Sequence, residues 1–516
     1  MKKLRVFSLI KKSFSLKEAA GGLSFQRPLG FLARIRLIPT ILVGICLLLL
    51  SGRPAKAQVK YDFSGMIKLF LSCYTGQNQE GPYFFHKGGD FAFKRLEGRF
   101  RLKASVSENV SAEVRLDAFS SPDALFSNRT FPEAGLLASP GQAEPFELSL
   151  YEGFIRVNHF LLKNLDLTVG KQRIHWGTAD KLNLVDNLNP VDFANFLTFD
   201  PDYYLERRPQ TAINLEYYPG QNSKLQIVWL PERQHSPLPA GFSEMLKTNL
   251  AGLPQPEINV ETEEPSLRHS NFGVRFSTVL FNVDLGLSYY KGNYSLPYIY
   301  GVQVSTPPQS PSSRVYFRYP GKQVFGLDLS GELKSVGFWA ELTRTRPDKK
   351  FSWLDSFLLI GSQVLPLAVE FPLMENYYWQ WVVGADYTFS LADGLYVNAQ
   401  YVHGLFDEVA FSPLAKGYFG LRQGMWFGQI QDYLGGRAEL RLLKGDLKLG
   451  LNSLISLNSG DTTKNSAILY PSVEYKINDA FFFQAGGIFS FGDREMSKFG
   501  SFSRDRVVYL LTKVSF

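Results

Sequence analysis

The chain has 516 residues, 55 of them basic and 48 acidic, giving a net charge of +7 and a pI near 9.0. A hydrophobic share of 45% with 20% charged residues excludes global disorder. A mean hydropathy of −0.10 with a single long apolar run excludes a bundle of membrane helices. The basic balance invites a nucleic-acid partner, yet it sits at one end. Residues 1–57 carry eleven basic side chains against Glu18 alone, a net +10, which leaves −3 for the rest. No nucleic acid is therefore expected.

The apolar run Leu37–Leu50 has the length of a signal-peptide core and is too short for a spanning helix. Pro54 and then Ala55-Lys56-Ala57 follow it, an A-x-A cleavage pattern. Residues 1–57 are expected to be a cleavable export signal and 58–516 the mature chain; an uncleaved anchor is the alternative. Cys46 lies inside the run ahead of four leucines, which excludes lipidation at that position. Cys73 is then the sole mature cysteine, and no intramolecular disulfide can form.

From Gln58 onward the hydrophobic period is two. Leu96, Phe100 and Leu102 alternate with Arg95, Glu97, Arg99, Arg101 and Lys103; after Glu108-Asn109, Val114 and Leu116 alternate with Glu113, Arg115 and Asp117. Such segments run about 10–15 residues, enough to cross a bilayer at a tilt. The surplus of aromatics (Phe 43, Tyr 25, Trp 7) suits interfacial girdles. A sheet with an apolar face toward lipid must close, because an open edge leaves backbone groups unpaired in hydrocarbon. The expected fold is all-β: a transmembrane antiparallel up-and-down β-barrel of about 18 strands, with 16 the alternative.

Connection lengths support this. Tight turns are expected at Glu108-Asn109, Lys163-Asn164, Gly220-Gln221, Phe281-Asn282, Lys334-Ser335, Leu391-Ala392-Asp393, Lys444-Gly445 and Asn478-Asp479. They rotate with long segments near 74–89, 121–146, 175–207, 231–267, 292–319, 348–373 and 405–431, and shorter ones near 458–466 and 491–503. Short periplasmic turns and long external loops are the outer-membrane pattern, and an even strand count puts both ends on the periplasmic side. The last strand places Val508, Leu510, Thr512, Val514 and Phe516 on one face. A terminal Phe resembles the assembly signal of bacterial outer-membrane proteins, which implies the barrel-assembly machinery as a partner, with outer-membrane lipid around the barrel.

One strand ends Gly170-Lys171-Gln172-Arg173-Ile174-His175-Trp176-Gly177, and the following loop contains Asn189-Pro190-Val191-Asp192. This G-K-Q-x-I-x-W-G … N-P-x-D pattern resembles a family of porin-like proteobacterial barrels of unassigned function, and is more distantly similar to alginate-export barrels. The motif residues are Gly170, Gln172, Trp176, Gly177, Asn189 and Pro190. The resemblance implies a third loop, 175–207, folded into the lumen. That loop is unusually rich in Phe and Tyr for a hydrophilic eyelet, with Phe193, Phe196, Phe199, Tyr203 and Tyr204.

Inward charge at the density of Arg95, Glu97, Arg99, Arg101, Arg115 and Asp117 is costly in a packed core, so these are expected to line a wet pore. Asp186, Asp192, Asp200 and Asp202 fall in the third loop and are expected at its constriction, facing the basic wall across a transverse field. The alternative is a set of lumen salt bridges that plug the barrel. Segment 348–373 is strongly apolar and suggests packing between loops or contact with a hydrophobic molecule. The six histidines form no H-E-x-x-H or helical pair, His175 being the single best candidate, and no phosphate loop or calcium series is present. The expected function is a porin-like channel for small solutes in the outer membrane, without cofactor or covalent step. A transporter or export partner for lipid or another hydrophobic substrate, and an outer-membrane hydrolase, are the alternatives.

Overall fold

In the computed structural model the described residues are 59–78, 86–120, 146–192, 206–233, 235–237, 256–261, 266–305, 312–348, 351–360, 363–372, 377–405, 430–458, 460–494 and 497–516. The export signal expected over 1–57, together with Asp200, Asp202 and the aromatic residues around them, lies outside these. The strands in chain order are β1 (Lys60–Tyr74), β2 (Phe91–Ser105), β3 (Val110–Ser120), β4 (Phe146–Val157), β5 (Leu165–Gln172), β6 (Gln210–Gly220), β7 (Ser223–Leu230), β8 (Pro256–Glu261), β9 (Asn271–Leu280), β10 (Val283–Asn293), β11 (Tyr298–Val304) and β12 (Ser313–Arg318). Then come β13 (Gly321–Leu333), β14 (Val336–Pro347), β15 (Phe351–Ile360), β16 (Gln363–Pro372), β17 (Tyr378–Phe389), β18 (Leu395–His403), β19 (Asp432–Leu442), β20 (Leu447–Leu457), β21 (Ser466–Asn478), β22 (Phe481–Gly492) and β23 (Val507–Ser515).

Eighteen of these form one sheet in which each strand pairs antiparallel with the next and β1 pairs with β23, so the sheet closes on itself. The expected fold class and strand number hold. Tight turns alternate with long connections as the sequence predicts. At Phe281-Asn282 and Lys334-Ser335 both central residues have positive φ, the mirror-image turn whose twist suits a two-residue hairpin.

Alternation sorts the side chains by solvent. Leu69, Leu96, Leu102, Leu287, Leu327, Val383, Leu434 and Leu510 face outward and exposed. At the turn end this band meets Tyr61, Phe63, Phe389, Tyr475 and Phe516, and at the loop end Phe91, Phe146, Tyr377, Trp379 and Phe491. Two aromatic girdles around an aliphatic belt are what a bilayer selects. Among the described residues no helix is long and apolar enough to cross a membrane, so any crossing is made by strands.

The remaining five strands form a second sheet in the order β16-β15-β11-β12-β8, built from three long loops. Segment 348–373, expected as one loop, instead contains the hairpin β15–β16, which joins β11 in parallel through Trp353–Asp355. Period-two patterning in a loop reads the same as in a barrel strand, so its partner could not be read from sequence.

The seam is held at both ends. On the turn side Phe516 and Gly65 exchange backbone hydrogen bonds of 3.0 and 2.8 Å, and the Phe516 ring lies 5.8 Å from Phe63 and 6.4 Å from Phe100. On the loop side Asp505 accepts from Asn78 Nδ2 at 2.9 Å and lies 2.9 Å from His86 Nε2, joining the first long loop to the last. A Cβ at Gly65 would stand 2.8 Å from the Arg99 carbonyl and 2.9 Å from the Phe516 ring. Gly65→Val is therefore expected to cost about 1–3 kcal/mol through overpacking. A lower urea midpoint for the barrel folded in lipid vesicles is the predicted readout; an unchanged midpoint would remove the Phe516 seat from the closure.

Candidate functional site

The segment after β5 runs inward and crosses the lumen. Trp176 is buried against Gly273, where a Cβ would lie 2.6 Å from the indole, and its Nε1 donates to Gln226 Oε1 at 2.8 Å. Ile174, Trp176, Val185 and Leu188 pack with Ala212, Val228, Leu230, Tyr290 and Val324 of the wall. Further along, Gln400 Nε2 donates to the Asp180 carbonyl at 2.8 Å, and Leu182 covers Gly435 on β19. Strand β19 lies nine places around the eighteen-stranded ring from β5, on the opposite wall. The segment spans the barrel.

A chain crossing a lumen carries backbone groups that no sheet satisfies, and each needs a partner. Glu341 on β14 supplies four. Its Oε1 accepts from Thr178 N at 2.7 Å and Ala179 N at 2.8 Å, and its Oε2 from Leu184 N at 2.7 Å and Val185 N at 3.0 Å. Arg207 takes the carbonyls, donating to Asn189 O at 3.0 Å and also to the carbonyls of Asp186 and Asn183. Asn183 donates to Trp176 O and accepts from Asp186 N at 2.9 Å, and Asn189 donates to Ile174 O.

The motif residues thus serve as fasteners of this crossing. Gln172 Nε2 donates to the Ala212 and Thr168 carbonyls at 3.2 and 3.3 Å. Gly170 (φ 132°) lies against Gly153 and Phe154 with no room for a Cβ. Gly177 (φ 84°) lets the chain pass beneath Glu341, whose Oε1 a Cβ would strike. Pro190 accepts from Arg208 N at 2.9 Å.

The charge arrangement differs from the expected opposition of basic wall and acidic loop. Asp186 and Asp192 are fully buried and lie 3.7 Å from Arg207 and Arg208 of the same loop, so their field closes locally. Arg95 and Glu97 face inward but are fully buried, with Lys68 Nζ 3.1 Å from Glu97, and do not line a wet surface. The reason is position: they lie in the loop half of the lumen, where packed loop residues cover the wall. There Leu182, Leu184 and Val191 share one core with Tyr294, Tyr298, Phe317 and Leu354 of the second sheet and its approaches.

Arg99, Arg101 and Arg115 sit lower and reach water, whereas Asp117, expected at the pore surface, is fully buried behind Arg99. Arg99 grips Asp117 through two bonds of 2.7 and 2.8 Å, and Arg101 grips Glu113 in the same way. Arg101 and Arg115 are directly opposed, a like-charge pairing, and Arg115 turns away to Glu152 at 3.0 Å. A bulge in β4 makes that possible: Arg115 pairs with Glu152 and Leu116 with Leu150, which brings both Tyr151 and Glu152 into the lumen. The Tyr151 ring then lies 4.3 Å from Arg99 and 5.4 Å from Arg208, and its hydroxyl donates to Glu206 at 2.5 Å. Burial pushes the Glu206 carboxyl above its usual range despite the nearby guanidinium of Arg99.

Between the crossing and the wall lies a polar cavity of about 30 Å³, bordered by Asn187, Asn189, Arg207, Asn293, Lys322 and Gln380. That is room for a water or two. His175 is exposed, and among the described residues no group of three or more His, Cys, Asp or Glu could hold a metal ion. Sequence reasoning missed Glu341, Arg207 and Tyr151. Glu341 looks like any other inward charge on a strand, and a bulge leaves no mark in an alternating pattern.

Removing the Glu341 carboxylate leaves four amides without an acceptor, each unsatisfied buried group costing about 1–3 kcal/mol. Glu341→Ala is expected to free the segment 177–185 while the barrel stays closed. Protease cleavage within that segment at retained β-sheet circular dichroism checks it; equal resistance in variant and wild type would mean the clamp is dispensable.

The profile of a family described as "Protein of unknown function (DUF1302)" matches residues 53–417. No curated protein matches in sequence. Among solved structures, Acinetobacter baumannii OccAB3 is similar at 10% identity and a TM-score of 0.45, over 89% of this chain and 99% of that one. Pseudomonas aeruginosa OccK9 (OpdG) is similar at 9% identity and a TM-score of 0.46, over 89% and 98%.

Proposed function

The chain belongs to the DUF1302 family, whose function is unassigned, and on that footing we propose that it is a porin-like outer-membrane channel for small solutes, narrowed by its third loop. The observation that carries this reading is the division of the lumen. A polar-clamped segment crosses the loop half, while the turn half keeps a wall of solvent-accessible ion pairs. A charged wall left in contact with water is the lining that an aqueous passage requires. No covalent step belongs to this reading; permeation follows lumen width and wall charge. Strand β23 with Phe516 is proposed as the element read by the barrel-assembly machinery.

Purified protein in planar bilayers is expected to give discrete conductance steps, and Glu341→Ala larger or noisier ones as the crossing segment loosens. Silence from both would end the channel reading. A second reading, passage of a hydrophobic molecule, is favoured by the composition of the β15–β16 hairpin, with Leu358, Leu359, Ile360, Val364 and Leu365 around its turn. Lipid that co-purifies with wild type and is lost on Trp353→Asp would support it.

A further inference from the structure

We propose that the turn-side half of the lumen selects anionic solutes; this deepens the channel reading above and rests on it. Between the turn-side rim and the crossing segment, the ion pairs along that wall are unequal in one consistent sense. Arg101 is 38% exposed and its partner Glu113 10%; Lys224 is 34% exposed and Glu216 11%; Arg437 is 40% exposed and Glu439 11%. Arg99 with Asp117, Arg115 with Glu152, Arg156 with Glu216, and Arg275 with Asp328 repeat the order, and in Lys448 with Glu474 the difference narrows to 31% against 24% without reversing.

The cause lies in side-chain length. An inward carboxylate on a strand is short and stays against the wall, while Arg and Lys run their stems over it and carry the charge toward water. Each pair is therefore a dipole with its positive end toward the lumen. An ion passing within a Debye length, about 8–10 Å, meets the cation first and the screened carboxylate behind it. At the turn-side rim the inward charges are mixed: Asp62, Asp284 and Glu332 stand there with Lys103, Arg441 and Lys513, and in Lys476 with Asp479 the order reverses, 42% against 98%. The asymmetric band lies between this rim and the crossing segment.

The test is the reversal potential of the full-length protein in a planar bilayer under a potassium chloride gradient. Wild type is expected to reverse on the chloride side. Neutralising the exposed cations in Arg101→Gln/Arg156→Gln/Arg437→Gln should lower the chloride-to-potassium permeability ratio about two-fold or more, as expected for unit charges a few ångströms from the path. Neutralising their partners in Glu113→Gln/Glu216→Gln/Glu439→Gln should raise it. If the triple arginine variant fails to fold, Arg437→Gln alone must still shift the ratio downward. A conducting wild type that reverses on the potassium side, or an arginine variant that conducts with an unshifted ratio, overturns the proposal and leaves the channel standing. Absence of conductance in every form sinks the channel reading and this one with it.

Discussion

The constraint on which the molecule depends is that a sheet facing hydrocarbon has no permissible edge. Each amide and carbonyl of β1 and β23 that failed to pair would face lipid with nothing to replace water. The chain meets this with nine seam pairs, from Met66–Ser515 to Tyr74–Val507. The C-terminal residue adds the last turn-side hydrogen bonds and fills the space left by a residue without a side chain, Gly65. At the other end the closure passes into polar loops, where Asn78 and His86 meet Asp505. An apolar, lipid-facing ring plugs one end of the seam and a buried polar cluster the other, each suited to its surroundings.

The same requirement, moved inside the barrel, explains the crossing segment. It has no sheet to join, so four of its amides converge on one carboxylate and three of its carbonyls on one guanidinium, with amide side chains taking others. Glu341 and Arg207 are complementary halves of a single solution. The carboxylate comes from the wall and the guanidinium from the returning end of the same loop, where Val191 and Arg207 form a bridge. The lumen shape is therefore set jointly by the wall and by closure of the loop upon itself.

What could be read from the sequence was whatever repeats. Alternation gave the inward and outward faces of Leu96, Arg99 and Leu102 correctly, and turn chemistry placed each tight connection, because both are local rules imposed residue by residue. What could not be read was pairing at a distance. Asp186 and Asp192 look like free constriction charges until the fold brings Arg207 and Arg208 beside them, and Glu97 looks like a pore residue until packed loops cover it. The motif around Gln172, Trp176 and Asn189 was visible as a pattern, but its role as fastener depends on Gln226, Ala212 and Glu341, each on a different strand from the one that carries it.

Net charge shows the same gap between inventory and geometry. The chain's +7 arises from its first 57 residues, and the remainder is −3. Yet a count of side chains is not a count of what a solute meets. In the band between the rim and the crossing segment the carboxylates are drawn in against the wall and the cations held out from it, so a chain with a slight acidic excess presents a basic surface there. Burial converts composition into field, and the conversion follows from reach: two or three bonds from backbone to charge for Asp and Glu, about twice that for Arg and Lys. A barrel lined with alternating pairs need carry no excess of arginine to be electropositive within.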